Sequence, residues 1–154
     1  MLIYKKLDIT TVQKGIVAHG VNCQWAMGAG VALAIKRKWP IVYDRYMWHK
    51  GKTTVNDVFG KVLFVDISST LIVANCFTQK YYGNKAGVRY ASPTAIKTSL
   101  ESCVVECNNK QLDLYMPRIG CNLGGLSWSD DVQPVVEEIS EKLDDKLIIY
   151  VCDY

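Results

Sequence analysis

The chain has few histidines, no Cys-x-x-Cys pair and no long apolar run, and each shortage excludes a class of protein. Only two histidines occur in 154 residues, so a histidine-rich metal site is not expected. None of the six cysteines forms a Cys-x-x-Cys pair, which removes that metal-binding and redox spacing. No apolar stretch approaches the roughly 18 residues that span a bilayer, and no apolar signal segment follows Lys5 and Lys6. We therefore expect a cytoplasmic protein with reduced thiols and no membrane segment.

The net positive charge is also small. The formal net charge is +3, and no basic cluster is longer than Lys36-Arg37-Lys38. This balance suits a small anionic ligand but does not favour nucleic acid. The hydrophobic fraction of 49% and the charged fraction of 21% are typical of a globular protein. We expect a single domain over residues 1–154 and a monomer.

One cysteine pair leaves a metal site open. Cys103 and Cys107 are one helical turn apart and could share a metal ion. On the apolar face of a helix, however, free cysteine behaves as a small hydrophobic residue. The prediction is that the two thiols belong to the core and that the protein holds no metal and no cofactor.

The most informative segment runs from residue 15 to residue 32. An apolar run, 15–21, predicts a buried strand, and a polar turn with Asn22 and Gln24 follows it. Gly28-Ala29-Gly30 then leads directly into a helical pattern. Unpaired N–H groups and the dipole at a helix N-terminus favour an anion, and glycines let the backbone approach a phosphate. The alternative is that these glycines only make a tight connection.

Two well-known nucleotide motifs do not fit this segment. Position 33 is leucine, so the pattern is not the Gly-x-Gly-x-x-Gly of dinucleotide-binding folds. No Gly-Lys-Ser/Thr follows, which excludes a P-loop. Any anion bound here is therefore held by another arrangement of glycine loops.

The remaining pattern alternates strands and helices. Strands are predicted over residues 2–6, 58–65, 71–77, 112–116 and 147–152, and helices over 30–39 and 41–49, from Ser92-Pro93 onward, and after a cap at Ser129-Asp130-Asp131. Such alternation predicts a largely parallel sheet covered on both faces, with ligands at the carboxyl ends of its strands. Two glycine loops, 28–30 and 120–125, fall at such ends and together suit a diphosphate. A polar stretch, 78–91, predicts a long loop of functional type.

Several motifs in order along the chain carry a resemblance to a known family. With Asp8-Ile9-Thr10, Asn22, Gly28-Ala29-Gly30 and Met116-Pro117-Arg118-Ile119-Gly120, the chain resembles a macro domain over nearly its whole length. The resemblance implies a three-layer α/β/α fold with a mostly parallel, mixed central sheet. It also implies ADP-ribose, or ADP-ribose 1″-phosphate, as the small-molecule ligand.

The resemblance also implies which residues bind that ligand. Asp8 matches the carboxylate that accepts from the adenine amino group, with Ile9 as its neighbour, and Asp153 or Tyr154 matches a group beside the adenine. Asn22 matches an asparagine near the distal ribose. The two loops that hold the diphosphate and distal ribose correspond to Gly28, Ala29, Gly30 and Val31, and to Ile119, Gly120, Cys121, Asn122, Leu123 and Gly124.

The branch of the family decides the expected chemistry. His19-Gly20-Val21-Asn22-Cys23 and Phe77-Thr78 with Tyr82-Gly83 look like the stand-alone ADP-ribose 1″-phosphate phosphatases. There, His19 matches a proposed catalytic residue, with Asn22 orienting the ribose. The terminal ADP-ribose glycohydrolase also resembles the chain, but its lysine and aspartate correspond here to Gln79 and Gly124. We therefore expect a phosphatase. A de-ADP-ribosylating hydrolase of protein or nucleic acid and a non-catalytic reader remain the alternatives.

The nucleophile is left open by the sequence. A metal-free phosphatase needs stabilised phosphate oxygens, an oriented nucleophile and a proton for the leaving hydroxyl. The hypothesis is a water molecule activated by His19, with a Cys23 or Cys121 thiolate as the second choice. The alternative for His19 is a histidine that merely packs at a strand end.

Overall fold

Six strands form one mixed sheet with helices against both faces in the computed structural model, which describes residues 1–153. The strands are β1 (Leu2–Lys6), β2 (Gly15–Asn22), β3 (Val62–Asp66), β4 (Leu71–Gln79), β5 (Leu114–Met116) and β6 (Ile149–Asp153). The helices are α1 (Gly30–Lys38), α2 (Pro40–Trp48), α3 (Val55–Val58), α4 (Pro93–Lys110) and α5 (Gln133–Ser140), with a 3₁₀ turn at Ile9–Thr11 and a π-helical turn at Trp128–Val132. The predicted three-layer α/β/α arrangement is confirmed.

The strand order β1-β6-β5-β2-β4-β3 places β2 in the middle of the sheet. All neighbouring pairs are parallel except β3 with β4. The chain leaves β2 toward the layer of α1 and α2, whereas it leaves β4 and β5 toward the layer of α4 and α5. The loops that follow β2 and β5 therefore diverge at one edge, which is where open α/β sheets bind ligands.

The two faces of the sheet support separate hydrophobic clusters. Alternate residues of β2 point to opposite faces, so Val17 and Val21 pack with Ile35 and Tyr46 of the first helical layer. Ile16 and its neighbours pack instead with α4 and α5. Because His19 is an odd-numbered residue of the same strand, it points toward the layer that contains Tyr46.

Several boundaries shift by one or two residues, and β4 runs on to Gln79, which shortens the loop predicted over 78–91. Two further differences have local causes. The strand predicted over 58–65 begins only at Val62, because Thr54 and Asp57 form a reciprocal capping box that makes 55–58 a helical turn. The last helical segment is capped by Ser127, not by Ser129-Asp130-Asp131: the Ser127 side chain accepts from Asp130 N. Among residues 1–153, no helix is both long and apolar enough to cross a membrane.

The cysteines lie where core residues lie. Cys103 and Cys107 are fully buried in α4, and Cys103 Sγ is 3.8 Å from Cys76 Sγ. In the described part of the chain, no three His, Cys, Asp or Glu side chains cluster as metal ligands. The pair at one-turn spacing therefore packs as small hydrophobic residues.

Candidate functional site

Two adjoining cavities open at the carboxyl edge of the sheet, between the loops after β2, β4 and β5. The smaller, about 170 Å³, is lined by Gly20, Ala29, Gly30, Val31, Ala32, Thr78, Gln79, Pro117, Arg118, Ile119, Gly120, Asn122, Leu123 and Gly124. The larger, about 500 Å³, is lined by Ala26, Gly28, Ala29, Tyr82, Gly83, Asn84 and Leu123. Ala29 and Leu123 line both. We call the two together the cleft.

The first glycine loop, 28–31, forms one wall of the cleft. It leads into α1, whose N-cap Ala29 makes no side-chain capping bond. The first N–H groups of the helix are thus left without a capping side chain at the wall of the smaller cavity, and the helix dipole favours negative charge there. Gly30 has a φ of +58° and open space around its Cα. The loop fits the predicted anion site.

Asn22 shapes the turn before that loop and does not line the cleft. Its Oδ1 accepts from the backbone N–H groups of Gln24 at 3.0 Å and Ala26 at 3.3 Å, and its Nδ2 donates to Ala26 O at 2.9 Å. These bonds hold the intervening Trp25 at a φ of +66°. The structure therefore shows Asn22 as an organiser of the turn. Its predicted contact with the ligand remains a prediction.

Tyr46 fixes this turn from behind. Its fully buried hydroxyl donates to Asn22, with O at 2.6 Å and Oδ1 at 3.0 Å, and burial raises the pKa of the phenol. The ring of Trp25 packs 5.0 Å from the Tyr46 ring and 5.8 Å from that of Phe77. The turn is thus held against α2 by hydrogen bonds from Tyr46. Trp25 packs in an aromatic cluster with Tyr46 and Phe77.

Removing the Tyr46 hydroxyl tests that support. Tyr46→Phe should lower the free energy of unfolding by about 1–2 kcal/mol, since a buried acceptor loses its donor. The matched control is Tyr43→Phe, a half-buried tyrosine on the same helix, which should change stability by less than about 0.5 kcal/mol. Urea unfolding at pH 7 measures both, and equal stability of the two variants would contradict the role given to Tyr46.

The second glycine loop, 119–125, forms the opposite wall and requires its glycines. Gly120 and Gly125 both have a φ of +79°. A Cβ on Gly125 would lie 2.1 Å from Val88 O, and one on Gly124 would lie 2.6 Å from Gly120 O. Gly124 O accepts from the N–H groups of Tyr90 and Ala91 at 2.9 and 3.0 Å. The loop is therefore closely packed against the segment 88–91.

The residues expected at the adenine lie at the same edge but outside the two cavities. Asp8 follows β1, and its Oδ1 accepts from Thr10 N at 3.0 Å and Thr10 Oγ1 at 2.8 Å. Ile9 is buried in the core. The Asp153 carboxylate pairs with Arg118 at 2.9 Å, and Tyr154 lies outside the described residues. The adenine contacts predicted for Asp8 and Ile9 remain predictions.

The structure does not bring His19 into the cleft. The residue is 1% exposed and lines neither cavity. Its Nε2 lies 2.5 Å from Asn75 Oδ1 on β4, whereas His19 Nδ1 and Asn75 Nδ2 have no partner among residues 1–153. Burial lowers the pKa of His19 to about 4, with the bond to Asn75 opposing the shift. The imidazole is enclosed and lies outside the cleft in this structure, and its catalytic role remains a prediction.

Neither cysteine near the cleft is prepared as a nucleophile. Burial raises the pKa of Cys23 and that of Cys121 to about 11. Cys121 Sγ donates to Ile119 O at 3.4 Å, and its side chain does not line the cavities although its loop does. A thiolate at neutral pH is therefore disfavoured at both positions.

The cleft also includes residues that the sequence did not mark as ligands. Thr78 and Gln79, at the end of β4, and Gly20 of β2 line its floor, and Tyr82 flanks the larger cavity. Gln24 Oε1 accepts from Tyr82 N at 2.9 Å, which ties the turn after β2 to the loop after β4. For Thr78, the sequence did offer a signal: the residue follows an apolar run that predicts a strand, and so it lies at the edge where ligands bind.

Comparisons with known proteins give relatives over nearly the whole chain, although no protein-family model matches. The chain is 30% identical to the ADP-ribose glycohydrolase OARD1 of Homo sapiens over an alignment of 155 positions that covers 97% of this chain and 90% of that protein. It is 27% identical to the ADP-ribose 1″-phosphate phosphatase of Debaryomyces hansenii over 164 residues, covering 90% of this chain and 88% of the other.

A third relative is longer than this chain. The DNA ADP-ribosyl glycohydrolase of Mycobacterium tuberculosis is 26% identical over 155 residues, 97% of this chain but 42% of the relative, so the chain spans less than half of its length. The solved macrodomain of Mycobacterium tuberculosis DarG superposes with a TM-score of 0.77 at 25% identity, covering 98% of this chain and 97% of the other.

Proposed function

Since the chain belongs to the macro domain family, we propose that it binds ADP-ribose in the cleft and hydrolyses ADP-ribose 1″-phosphate to ADP-ribose and phosphate. The observation that carries the binding proposal is the pair of glycine loops that face one another across the smaller cavity. The first loop leads into the N-terminus of α1, which has no capping side chain. The backbone of the second loop is closely packed, and this packing requires its glycines. Both can direct N–H groups at a diphosphate.

The composition of the cleft supports a phosphatase over a glycohydrolase. No carboxylate and no lysine lines either cavity within residues 1–153, and the only charged residue among the lining is Arg118. By the resemblance, Gln79 and Gly124 match without gaps the positions of the lysine and aspartate of the glycohydrolase, and Lys80 is one residue away from the first. Among the relatives, the one from Debaryomyces hansenii is named as a phosphatase on this substrate, whereas those from Homo sapiens and Mycobacterium tuberculosis are named as glycohydrolases.

The reaction needs little from reactive side chains. A water oxygen attacks the phosphorus, the bond from phosphorus to the 1″ oxygen breaks, and a proton from the water passes to that oxygen. Charge that develops on the phosphate oxygens is met by fixed N–H groups of the loops, which act without reorganisation. For His19 we propose a supporting role, because it packs behind the floor of the cleft beside Asn75.

Phosphate release without added metal tests the proposal. Wild-type protein should bind ADP-ribose by calorimetry and should release phosphate from ADP-ribose 1″-phosphate, and excess ADP-ribose should suppress the release competitively. A contaminating phosphatase would continue in its presence and would also cleave p-nitrophenyl phosphate. Asp8→Ala, which removes the proposed adenine contact, should raise KM more than it lowers kcat.

Other outcomes lead to different conclusions. ADP-ribose binding without phosphate release would overturn the phosphatase and leave the two alternatives. These are a hydrolase of ADP-ribosylated protein or nucleic acid and a reader of ADP-ribose. Release of ADP-ribose from a modified protein would identify the first. The larger cavity, about 500 Å³ and lined by Tyr82 and Leu123, is the feature that favours a bulkier substituent on the distal ribose. Failure to bind ADP-ribose at all would overturn the binding proposal itself.

A further inference from the structure

An irregularity in the central sheet displaces one residue at the floor of the cleft. Val21 of β2 pairs with Phe77 of β4, but the next residue, Asn22, pairs with Gln79. Thr78 is therefore an extra residue with no partner on β2, which is the arrangement of a β-bulge. Bulges of this kind bend a strand and redirect a side chain, and they are common beside active sites.

The bulge directs the Thr78 side chain over a glycine. A Cβ built on Gly20 would lie 2.6 Å from Thr78 Oγ1 and 3.3 Å from Ile119 Cγ2. Only glycine at position 20 leaves room for that hydroxyl without a shift of its neighbours. Both residues line the smaller cavity, between the two glycine loops.

The hydroxyl is held in place but has no partner of its own. The Thr78 backbone oxygen accepts from Ser92 N at 2.8 Å, and the residue is 1% exposed. Within residues 1–153, Thr78 Oγ1 makes no hydrogen bond. The fully enclosed side-chain atoms that lack partners are instead His19 Nδ1 and Asn75 Nδ2. Thr78 lines the smaller cavity, and its hydroxyl is not among the fully enclosed atoms that lack partners.

The other polar side chains of this cavity are less suited to a ligand. Gln79 Nε2 already donates to Tyr81 O at 2.8 Å, and Arg118 Nε and Nη2 donate to the Asp153 carboxylate at 2.9 and 3.2 Å. Asn122 is exposed at the rim. Thr78 supplies a side-chain donor that has no partner among residues 1–153 and is fixed by the bulge at the floor of the cavity.

We propose that the Thr78 hydroxyl donates a hydrogen bond to the diphosphate of ADP-ribose held between the two loops, an inference that rests on the proposed ADP-ribose binding. The loops bring the anion above the floor, where the hydroxyl adds a side-chain donor to their N–H groups. A hydrogen bond to an anionic oxygen is stronger than one between neutral groups, and the rigid bulge lowers the entropic cost of forming it.

Isosteric substitution tests this assignment by calorimetry. Thr78→Val should weaken ADP-ribose binding about tenfold or more, because it removes a hydrogen bond to a charged group at nearly constant shape. Thr78→Ser, which keeps the hydroxyl, should bind within about threefold of wild type. ADP has the diphosphate but not the distal ribose. Thr78→Val should weaken the binding of ADP by the same factor as the binding of ADP-ribose.

The outcomes separate this inference from the proposed function. If wild type binds ADP-ribose and Thr78→Val binds equally well, the assignment is wrong although the function stands. If Thr78→Val weakens the binding of ADP-ribose but not that of ADP, the hydroxyl does not contact the diphosphate and the assignment fails. If wild type binds neither ligand, the proposed function fails first. Thermal unfolding of each variant checks folding, and Thr78→Ala serves in place of valine if that variant does not fold.

Discussion

Replacing Gly125 with alanine should lower the free energy of unfolding by about 3 kcal/mol, from the strain of a left-handed backbone together with the added overlap. The φ at this position is +79°, and the new Cβ would lie 2.1 Å from Val88 O and 3.2 Å from Arg89 Cα. Both neighbours are backbone atoms, which cannot move aside as the end of a side chain would. The second loop must therefore separate from the segment 88–91 or distort.

Gly28→Ala is the matched control, since it makes the same chemical change in the other glycine loop. Gly28 has no positive φ, and a Cβ there meets nothing within 4 Å. Its free energy of unfolding should stay within about 0.5 kcal/mol of wild type. Denaturant unfolding of the two variants gives the comparison directly. A Gly125→Ala protein as stable as Gly28→Ala would mean that the second loop is not packed as described.

The same loops illustrate what the sequence could predict. Glycines that follow apolar runs and precede helical patterns mark connections at the carboxyl edge of a sheet, and both loops lie there. The strand over 15–21 and the helix after Gly30 were predicted nearly to the residue, because their apolar patterns are long and uninterrupted. The local sequence pattern is sufficient to predict a strand or helix where the segment's own residues determine its conformation.

Two of the features that the sequence missed depend on pairing between distant segments. The bulge at Thr78 exists only in the register of β4 against β2, some fifty residues away, and a single sequence contains no record of that register. The same register decides that His19 meets Asn75 and not the cleft. The short helix at 55–58 was missed because Val58 extends the apolar run of β3, although Thr54 and Asp57 supply a local capping signal.

The enclosed His19 makes stability depend on pH. Its pKa is lowered to about 4 in the folded protein by burial, against about 6.5 in an unfolded chain. Between these values the unfolded chain binds a proton that the folded protein does not, so the free energy of unfolding falls as the pH falls from about 6.5 to about 4. Above this window His19 is neutral in both states, and below it both states are protonated and the loss stops growing.

The loss due to His19 should reach about 3 kcal/mol at pH 4, from the difference of some 2.5 pKa units at 1.36 kcal/mol each. Carboxylates also titrate there, so the measured quantity is the stability lost between pH 7 and pH 4 in wild type minus that lost in His19→Gln. Glutamine keeps an N–H donor for Asn75 but cannot take up the proton. His49→Gln, which removes the other imidazole at the end of α2, should lose nearly as much as wild type.

An equal loss in wild type and His19→Gln would show that the imidazole is not enclosed as the structure has it. It would also reopen the general acid or base role, since a histidine of ordinary pKa beside the cleft could exchange protons with a substrate. A smaller loss in the glutamine variant, together with phosphate release that stays level between pH 6 and pH 8, would instead fit a histidine that is neutral throughout that range. That result would support the proposed role of His19, which is to hold β2 against β4 through its bond to Asn75.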